Sequence, residues 1–224
     1  PLANSLGVVQ PLEPQRHLEK DPPAIASPLP AAGTNRPAAL VYGWHGGAGR
    51  PVCCRGRKKG DPKEPEDHAL GRSRGGFSTK IHLLCDGRGH PLWAEVTGGH
   101  VHESTVLDTL LAGADEHLVD IAGKPFPWPE QLAGDKGYRA EWIDQYLLEL
   151  NIVPVIPSKS NEHRGTRPVE FDRQTYRRRN IVERLVGWLK ESRRVFSRFE
   201  KTARNFLAMI IIAFIRRYLR LATT

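Results

Sequence analysis

Tyr176–Arg194 reads Tyr-Arg-Arg-Arg-Asn-Ile-Val-Glu-Arg-Leu-Val-Gly-Trp-Leu-Lys-Glu-Ser-Arg-Arg. Val182, Leu185, Val186 and Leu189 stand at i, i+3, i+4 and i+7, which predicts a helix with one apolar stripe. A second set, Tyr176, Arg179, Glu183, Lys190 and Arg194, is spaced by 3, 4, 7 and 4. At roughly 100° per residue these five fall within about 60° of one another. Gly187 leaves the middle of that face open. One carboxylate in a row of cations and an aromatic suits a metal ion and a phosphate backbone. A basic surface helix with an incidental Glu is the competing reading of the helix alone.

The wider composition favours the first reading. The 224-residue chain carries a net charge of +8. Between Arg173 and Arg204 eleven Lys and Arg face three Glu, so this segment alone accounts for the surplus. Clustered positive charge on a helical segment is the footprint of a nucleic-acid binder. Three Cys, two of them adjacent at Cys53 and Cys54, give neither a disulfide framework nor a zinc spacing and suit a reducing interior. The apolar run Phe206–Ile215 is too short to span a bilayer and is read as a buried C-terminal helix, with no membrane partner. No signal peptide is visible. The chain does not begin with Met, so an incomplete N-terminus is expected.

Residues 1–57 are rich in Pro, Ala and Gly and show no sustained period, which predicts a disordered leader or a segment foreign to the domain. Residues 58–75 read as a charged loop. Phe77–Cys85 and Pro91–Thr97, joined by Asp86-Gly87-Arg88-Gly89, read as a β-hairpin. A short helix, Val106–Leu111, is expected next, with Ser104 or Thr105 as its cap. Leu132–Tyr138 reads as a strand end and glycine turn. Glu141–Leu150 reads as a helix with Trp142, Tyr146 and Leu150 on one face, and Asn151–Ile156 as a strand. After a polar loop come the basic helix and the apolar helix. The sum is an α/β domain with a mixed sheet flanked by helices.

Asp135 sits where a strand gives way to a glycine-flanked turn, and Gly134 and Gly137 permit close backbone approach there. Glu183 is a second carboxylate on a different element. Two carboxylates of this kind suit Mg²⁺, which keeps several positions for water and phosphate, and such ions can serve a phosphodiester displacement. Gly75–Lys80 has the wrong order for a phosphate loop. His100, His102 and Glu103 read as a polar turn rather than a metal site, and Cys85 as a core residue.

On these residues the chain resembles insertion-sequence transposases of the IS5-like group, in the DDE superfamily. Tyr176, Arg179, Glu183 and Lys190 reproduce the group's signature of Tyr, two residues, Arg, three residues, Glu, six residues, Lys. The segment Gly134-Asp135-Lys136-Gly137-Tyr138 resembles its second acidic motif. The likeness covers residues 58–224, the C-terminal catalytic part. It implies a ribonuclease-H-like fold and Mg²⁺-dependent cleavage and strand transfer of DNA, with Mn²⁺ as an alternative ion. It implies Asp135 and Glu183 as catalytic metal ligands and Tyr176, Arg179, Lys190 and Arg194 as DNA contacts. It further implies element ends and target DNA as partners, a homo-oligomer when active, and a bacterial cytoplasmic, nucleoid-associated location.

The group also has an Asp on the first strand, upstream of the hairpin, and none stands between residues 38 and 58. Asp61 and Asp67 lie in the charged loop and Asp86 in the hairpin turn. Permitted codons for Leu40–Arg57, read one nucleotide later, give a run Asp-Gly-Thr-Val-Val-Arg-Ala, with its Asp codon at Gly43–Trp44. Residues 1–57 are therefore expected to be out of frame, the first strand missing, the hairpin edge bare and the chain inactive. Two alternatives stand beside this reading: a basic DNA-binding protein without catalysis, and a nuclease of the same fold that does not join strands.

Overall fold

The computed structural model describes residues 39–46 (as a strand path), 67–73, 76–120, 123–160, 162 and 167–223. All belong to one compact unit, Asn35–Thr224. The elements run β1 (Ala39–Gly46), β2 (Gly71–Ser73), β3 (Gly76–Cys85), β4 (Pro91–Gly98), α1 (Leu107–His117), β5 (Gln131–Gly134), α2 (Glu141–Glu149), β6 (Val153–Val155), α3 (Arg173–Arg177), α4 (Asn180–Glu191), α5 (Arg193–Phe196) and α6 (Ala203–Ala222).

The expected hairpin forms, with β3 and β4 antiparallel and Leu83 opposite Ala94. Its turn is made by Asp86, whose Oδ1 accepts from the backbone N–H groups of Arg88 (2.9 Å) and His90 (2.8 Å). Gly89 is required there twice over. Its φ is +86°, and a Cβ would stand 2.8 Å from Ile181 Cγ2. The other partner of β3 is β1, antiparallel, and β1 in turn pairs in parallel with β5, which pairs in parallel with β6. The sheet is mixed, with β4 and the short β2 on one side of β3 and β1, β5, β6 following on the other.

This corrects one expectation. A strand is formed by residues 39–46, inside the stretch expected to contribute none, so the hairpin edge is not bare. A strand needs only backbone pairing and an extended run such as Leu-Val-Tyr, so the position is filled whatever the origin of the sequence. The remainder of residues 1–57, and most of the 58–75 loop with Asp61, lie outside the described residues. Gly71–Ser73 within that loop forms β2 rather than irregular chain.

Helices cover both faces of the sheet. Leu84 and Leu132 pack with Leu107, Leu110 and Leu111 of α1 and Ile143 and Leu147 of α2. Ile81, Leu83 and Ala94 pack on the other side against Val186 and Leu189 of α4 and Phe206 and Ile210 of α6. Cys85, Ala133 and Val155 meet Val182 and Leu185. All four residues of the predicted α4 stripe are buried. Each such side chain contributes about 1.5–3 kcal/mol on burial. The stripe thus fixes which way α4 faces, and its opposite side is left to polar groups.

Three local expectations change. The cap before α1 comes from His102, whose Nδ1 accepts from Ser104 N–H at the start of a 3₁₀ turn, Glu103–Val106, and the helix runs on to His117. On α2 the buried apolar residues are Ile143 and Leu147, while Trp142 is exposed, because the sheet lies one residue round from the aromatic row. Helix α6 is buried along Ala203, Phe206, Ile210, Ala213 and Phe214; Ile212, Ile215 and Leu219 are exposed. Among the described residues no helix is long and apolar enough to cross a membrane.

Candidate catalytic site

The basic segment is not one helix but three pieces. Asp172 caps α3, its Oδ1 accepting from Gln174 and Thr175 N–H at 2.8 and 3.1 Å. A turn at Arg178-Arg179 separates α3 from α4, and Ser192, extended at φ −75° and ψ 100°, separates α4 from α5. The five residues expected on one helical face therefore come from three helices and the turn between the first two. Only Glu183 and Lys190 lie within α4 itself, in its first and last turns.

The break brings Arg179 to a useful place. Its guanidinium Nη2 lies 2.8 Å from Glu183 Oε1, and its Nη1 lies 3.6 Å from Asp135 Oδ1. Asp135 stands directly after β5, with Oδ1 accepting from Lys136 N–H at 2.6 Å as it caps a 3₁₀ turn, Lys136–Tyr138. Carboxylates 48 residues apart in sequence thus share one guanidinium. Their side chains are 37% (Asp135) and 48% (Glu183) exposed, and that of Arg179 is 23% exposed. Pairs this exposed contribute only about 0–1 kcal/mol, so the cluster is open to exchange.

Tyr176 forms the wall beside it. The Arg179 guanidinium lies 5.4 Å from its ring centroid, and Phe171 packs on the same ring at 5.2 Å. Burial raises the Tyr176 hydroxyl pKa; the charges of Asp135 and Glu183 add to this and that of Arg179 opposes it. Gly187 keeps the outer face of α4 open, since a Cβ there would meet nothing within 4 Å. Lys190 is exposed on that helix. Arg194 is placed differently from the expected row: it is on α5 and pairs with Glu200 at 3.1 Å.

Sequence reading missed a buried polar layer next to the site. Tyr138, three residues after Asp135, is fully buried, and its hydroxyl is 2.9 Å from His82 Nδ1; His82 Nε2 is 2.9 Å from Thr97 Oγ1. Burial raises the Tyr138 pKa strongly, with the charges of Glu103 and Asp135 acting in the same sense. Lys80, also buried, donates to Val101 O (2.7 Å) and pairs with Glu103 (2.8 Å). A Cβ on Gly137 would come within 3.0 Å of the Glu103 carboxyl carbon, so the glycine lets the turn after Asp135 close over this pair. The available signal was Lys80 and His82 flanking Ile81 in a strand that turns apolar on both faces at Leu83-Leu84.

The discarded candidates stay discarded. Gly76–Lys80 is strand, not loop. His102 is a cap and Glu103 is held by Lys80. Cys85 is buried, and burial pushes its thiol up to about 12. Among the described residues no group of three or more His, Cys, Asp or Glu is gathered to hold a metal. What remains is two carboxylates from different elements, a donor set that suits one Mg²⁺ completed by water and phosphate oxygens.

Comparison with known proteins identifies the family. The sequence pattern of the family described as the transposase DDE domain matches residues 53–216. A protein of Burkholderia cepacia described as a transposase for insertion sequence element IS402 is 34% identical over 148 residues, 66% of this chain and 63% of that protein. A protein of Brucella ovis described as a transposase for insertion sequence element IS6501 is 26% identical over 144 residues, 64% of this chain and 100% of that protein. The chain thus spans less than two thirds of the length of the first relative. With a family match over most of its length, the chain belongs to the DDE-domain transposases.

Proposed function

We propose that this chain is the C-terminal catalytic part of an IS5-like insertion-sequence transposase, with residues 58–224 in frame and β1 from the residues before them completing a ribonuclease-H-like sheet. The strand order β4-β3-β1-β5-β6, in which β3 alone runs against the other four, supports that fold. The observation that carries the function is the convergence of Asp135 and Glu183 on one cationic group beside an open basic face. Asp135 and Glu183 would hold a divalent cation, Mg²⁺ or in its stead Mn²⁺. When bound, such an ion lowers the barrier to attack by a water or hydroxyl oxygen on a phosphodiester. In cleavage, water attacks phosphorus and the 3′-oxygen leaves, giving a 3′-hydroxyl and a 5′-phosphate. In joining, that 3′-hydroxyl attacks a target phosphodiester and displaces the 3′-oxygen of the target.

The chain's own residues supply position and charge. Arg179 and Lys190 flank Glu183 and neutralise backbone phosphate, Tyr176 sets the strand against the Phe171 wall, and Arg194 extends the basic track. The partners are element ends and target DNA, met by a homo-oligomer on the bacterial nucleoid in the cytoplasm.

The chain as written is inactive in this reading, because the first-strand Asp is in another frame. In β1, Val41 pairs with Gly134, the residue before Asp135, and the shifted-frame Asp codon falls two residues further along β1, at Gly43–Trp44. Sequencing codons 38–60 tests the frame; absence of that Asp codon refutes it. An assay with DNA carrying element ends and Mg²⁺ or Mn²⁺ tests the function. The chain as written should release no nicked or joined DNA, and the frame-restored protein should yield both. Nicking without joining marks a nuclease. DNA binding by the restored protein with neither product, and unchanged by Glu183→Gln, marks a protein that binds only.

A further inference from the structure

We propose that Arg179 is an internal counter-cation: it holds Asp135 and Glu183 together before a divalent ion arrives, and gives up that place when one does. The inference rests on the reading of Asp135 and Glu183 as the cation ligands. Its observation is the single guanidinium that reaches both carboxylates, at 3.6 and 2.8 Å, from the N-cap position of α4.

Helix chemistry alone does not put an arginine there. A cation at a helix N-terminus opposes the helix dipole. An Arg four residues before a Glu is also the weaker orientation of that pair. Glu183, in the first turn, is by contrast where the dipole favours a carboxylate. The tie to Asp135 on another element, together with the Tyr176 ring 5.4 Å away, holds the guanidinium where local preference does not.

Two carboxylates brought to one place repel each other unless a positive charge lies between them. Arg179 supplies one unit of it. A divalent ion supplies two and binds oxygen directly, so it competes for the same lone pairs. The guanidinium it displaces is a planar donor matched to phosphate. Ion binding and the release of a phosphate-binding arginine at the cut site are thereby one event. All three side chains are partly exposed, which makes the exchange reversible.

The test compares the full chain with Arg179→Gln, Arg179→Lys and Arg179→Gln/Glu183→Gln. Mn²⁺ affinity is read by calorimetry and thermal stability in EDTA by scanning. Arg179→Gln should melt lower than wild type in EDTA yet bind Mn²⁺ roughly three- to tenfold more tightly, the scale of one partly exposed ion pair. Arg179→Lys should return both values toward wild type. Adding Glu183→Gln should recover melting temperature in EDTA, because the repulsion is gone, and abolish Mn²⁺ binding. Mn²⁺ affinity unchanged or weaker in Arg179→Gln overturns the exchange, since a merely structural arginine could only weaken the site when lost. Failure of the underlying metal reading looks different: neither wild type nor Arg179→Gln binds Mn²⁺, while the EDTA pattern persists, and that result removes the exchange along with it.

Discussion

Two arginine–carboxylate clusters in this protein use the same chemistry to opposite ends. One joins Asp135, Arg179 and Glu183 at the end of β5, half in solvent and with one contact at 3.6 Å. The other joins Arg139, Asp144, Arg167 and Glu162. There Asp144 is 1% exposed, and it takes Arg139 Nη1 at 2.7 Å and Arg167 Nε at 3.4 Å. Arg139 also pairs with Glu162, and Arg167 donates to Ile156 O at 2.8 Å. The second cluster ties α2 to the loop after β6, and little water reaches it. Its partners are nearly saturated, so nothing can enter without breaking it. The first is loosely held and accessible, which is what the proposed exchange of one cation for another requires. An ion pair is therefore read by its burial and by what could replace its members.

The largest effect that separates the clusters should come from Asp144→Ala. It strands Arg139 and Arg167 in the interior and should cost about 3–5 kcal/mol in urea unfolding. A loss below about 1 kcal/mol would put the two clusters in the same class. Next is Glu103→Gln, which leaves buried Lys80 without its charged partner and should cost about 1–3 kcal/mol at neutral pH.

The pH dependence follows the same carboxylates. Burial opposes the charge on Glu103, but the hydrogen bond and charge of Lys80 outweigh it and hold its pKa below the usual value. The Arg139 hydrogen bond does the same for Glu162. Folded values below the unfolded ones mean stability fully present above the ordinary carboxylate range and lost as pH falls through the folded values. Melting temperature should thus drop on acidification below about pH 4–5, and the drop should be shallower in Glu103→Gln/Glu162→Gln.

Glu183→Gln should cost less than about 1 kcal/mol of stability while removing Mn²⁺ binding. The smallest signal is a reporter. Cys85 lies under α4 with its thiol pushed up to about 12, so a thiol reagent at pH 8 should leave it unmodified in the native chain. It should stay unmodified in Glu183→Gln and react faster in Asp144→Ala. Equal reactivity in the two variants would mean that the exposed cluster also holds the core.

Much of this was legible in the chain. The β3–β4 hairpin and the four-residue stripe of α4 follow from periodicity, because burial on one face imposes it; α2 and β6 were legible as elements, but the buried face of α2 was not. Asp135 and Glu183 stood out in the sequence as carboxylates on different elements, but their meeting at Arg179 was not legible, because it depends on a break between α3 and α4 that continuous helical periodicity hides. The β1 strand was illegible for another reason: backbone pairing between β3 and β5 organises it, and its own sequence has no period to announce it. Lys80 and His82 were passed over because polar groups in a strand read as a solvated side, whereas here each finds a partner inside, Lys80 in the Glu103 of the polar turn.

The central claim is that Asp135 and Glu183 form one cation site on this fold. Mn²⁺ titration of the chain by calorimetry, alongside Asp135→Asn, Glu183→Gln and Asp144→Asn, tests it most directly. One site is predicted in the chain, lost in each of the first two variants and retained in the folded fraction of the third. Equal Mn²⁺ binding in the chain, Asp135→Asn and Glu183→Gln would contradict it.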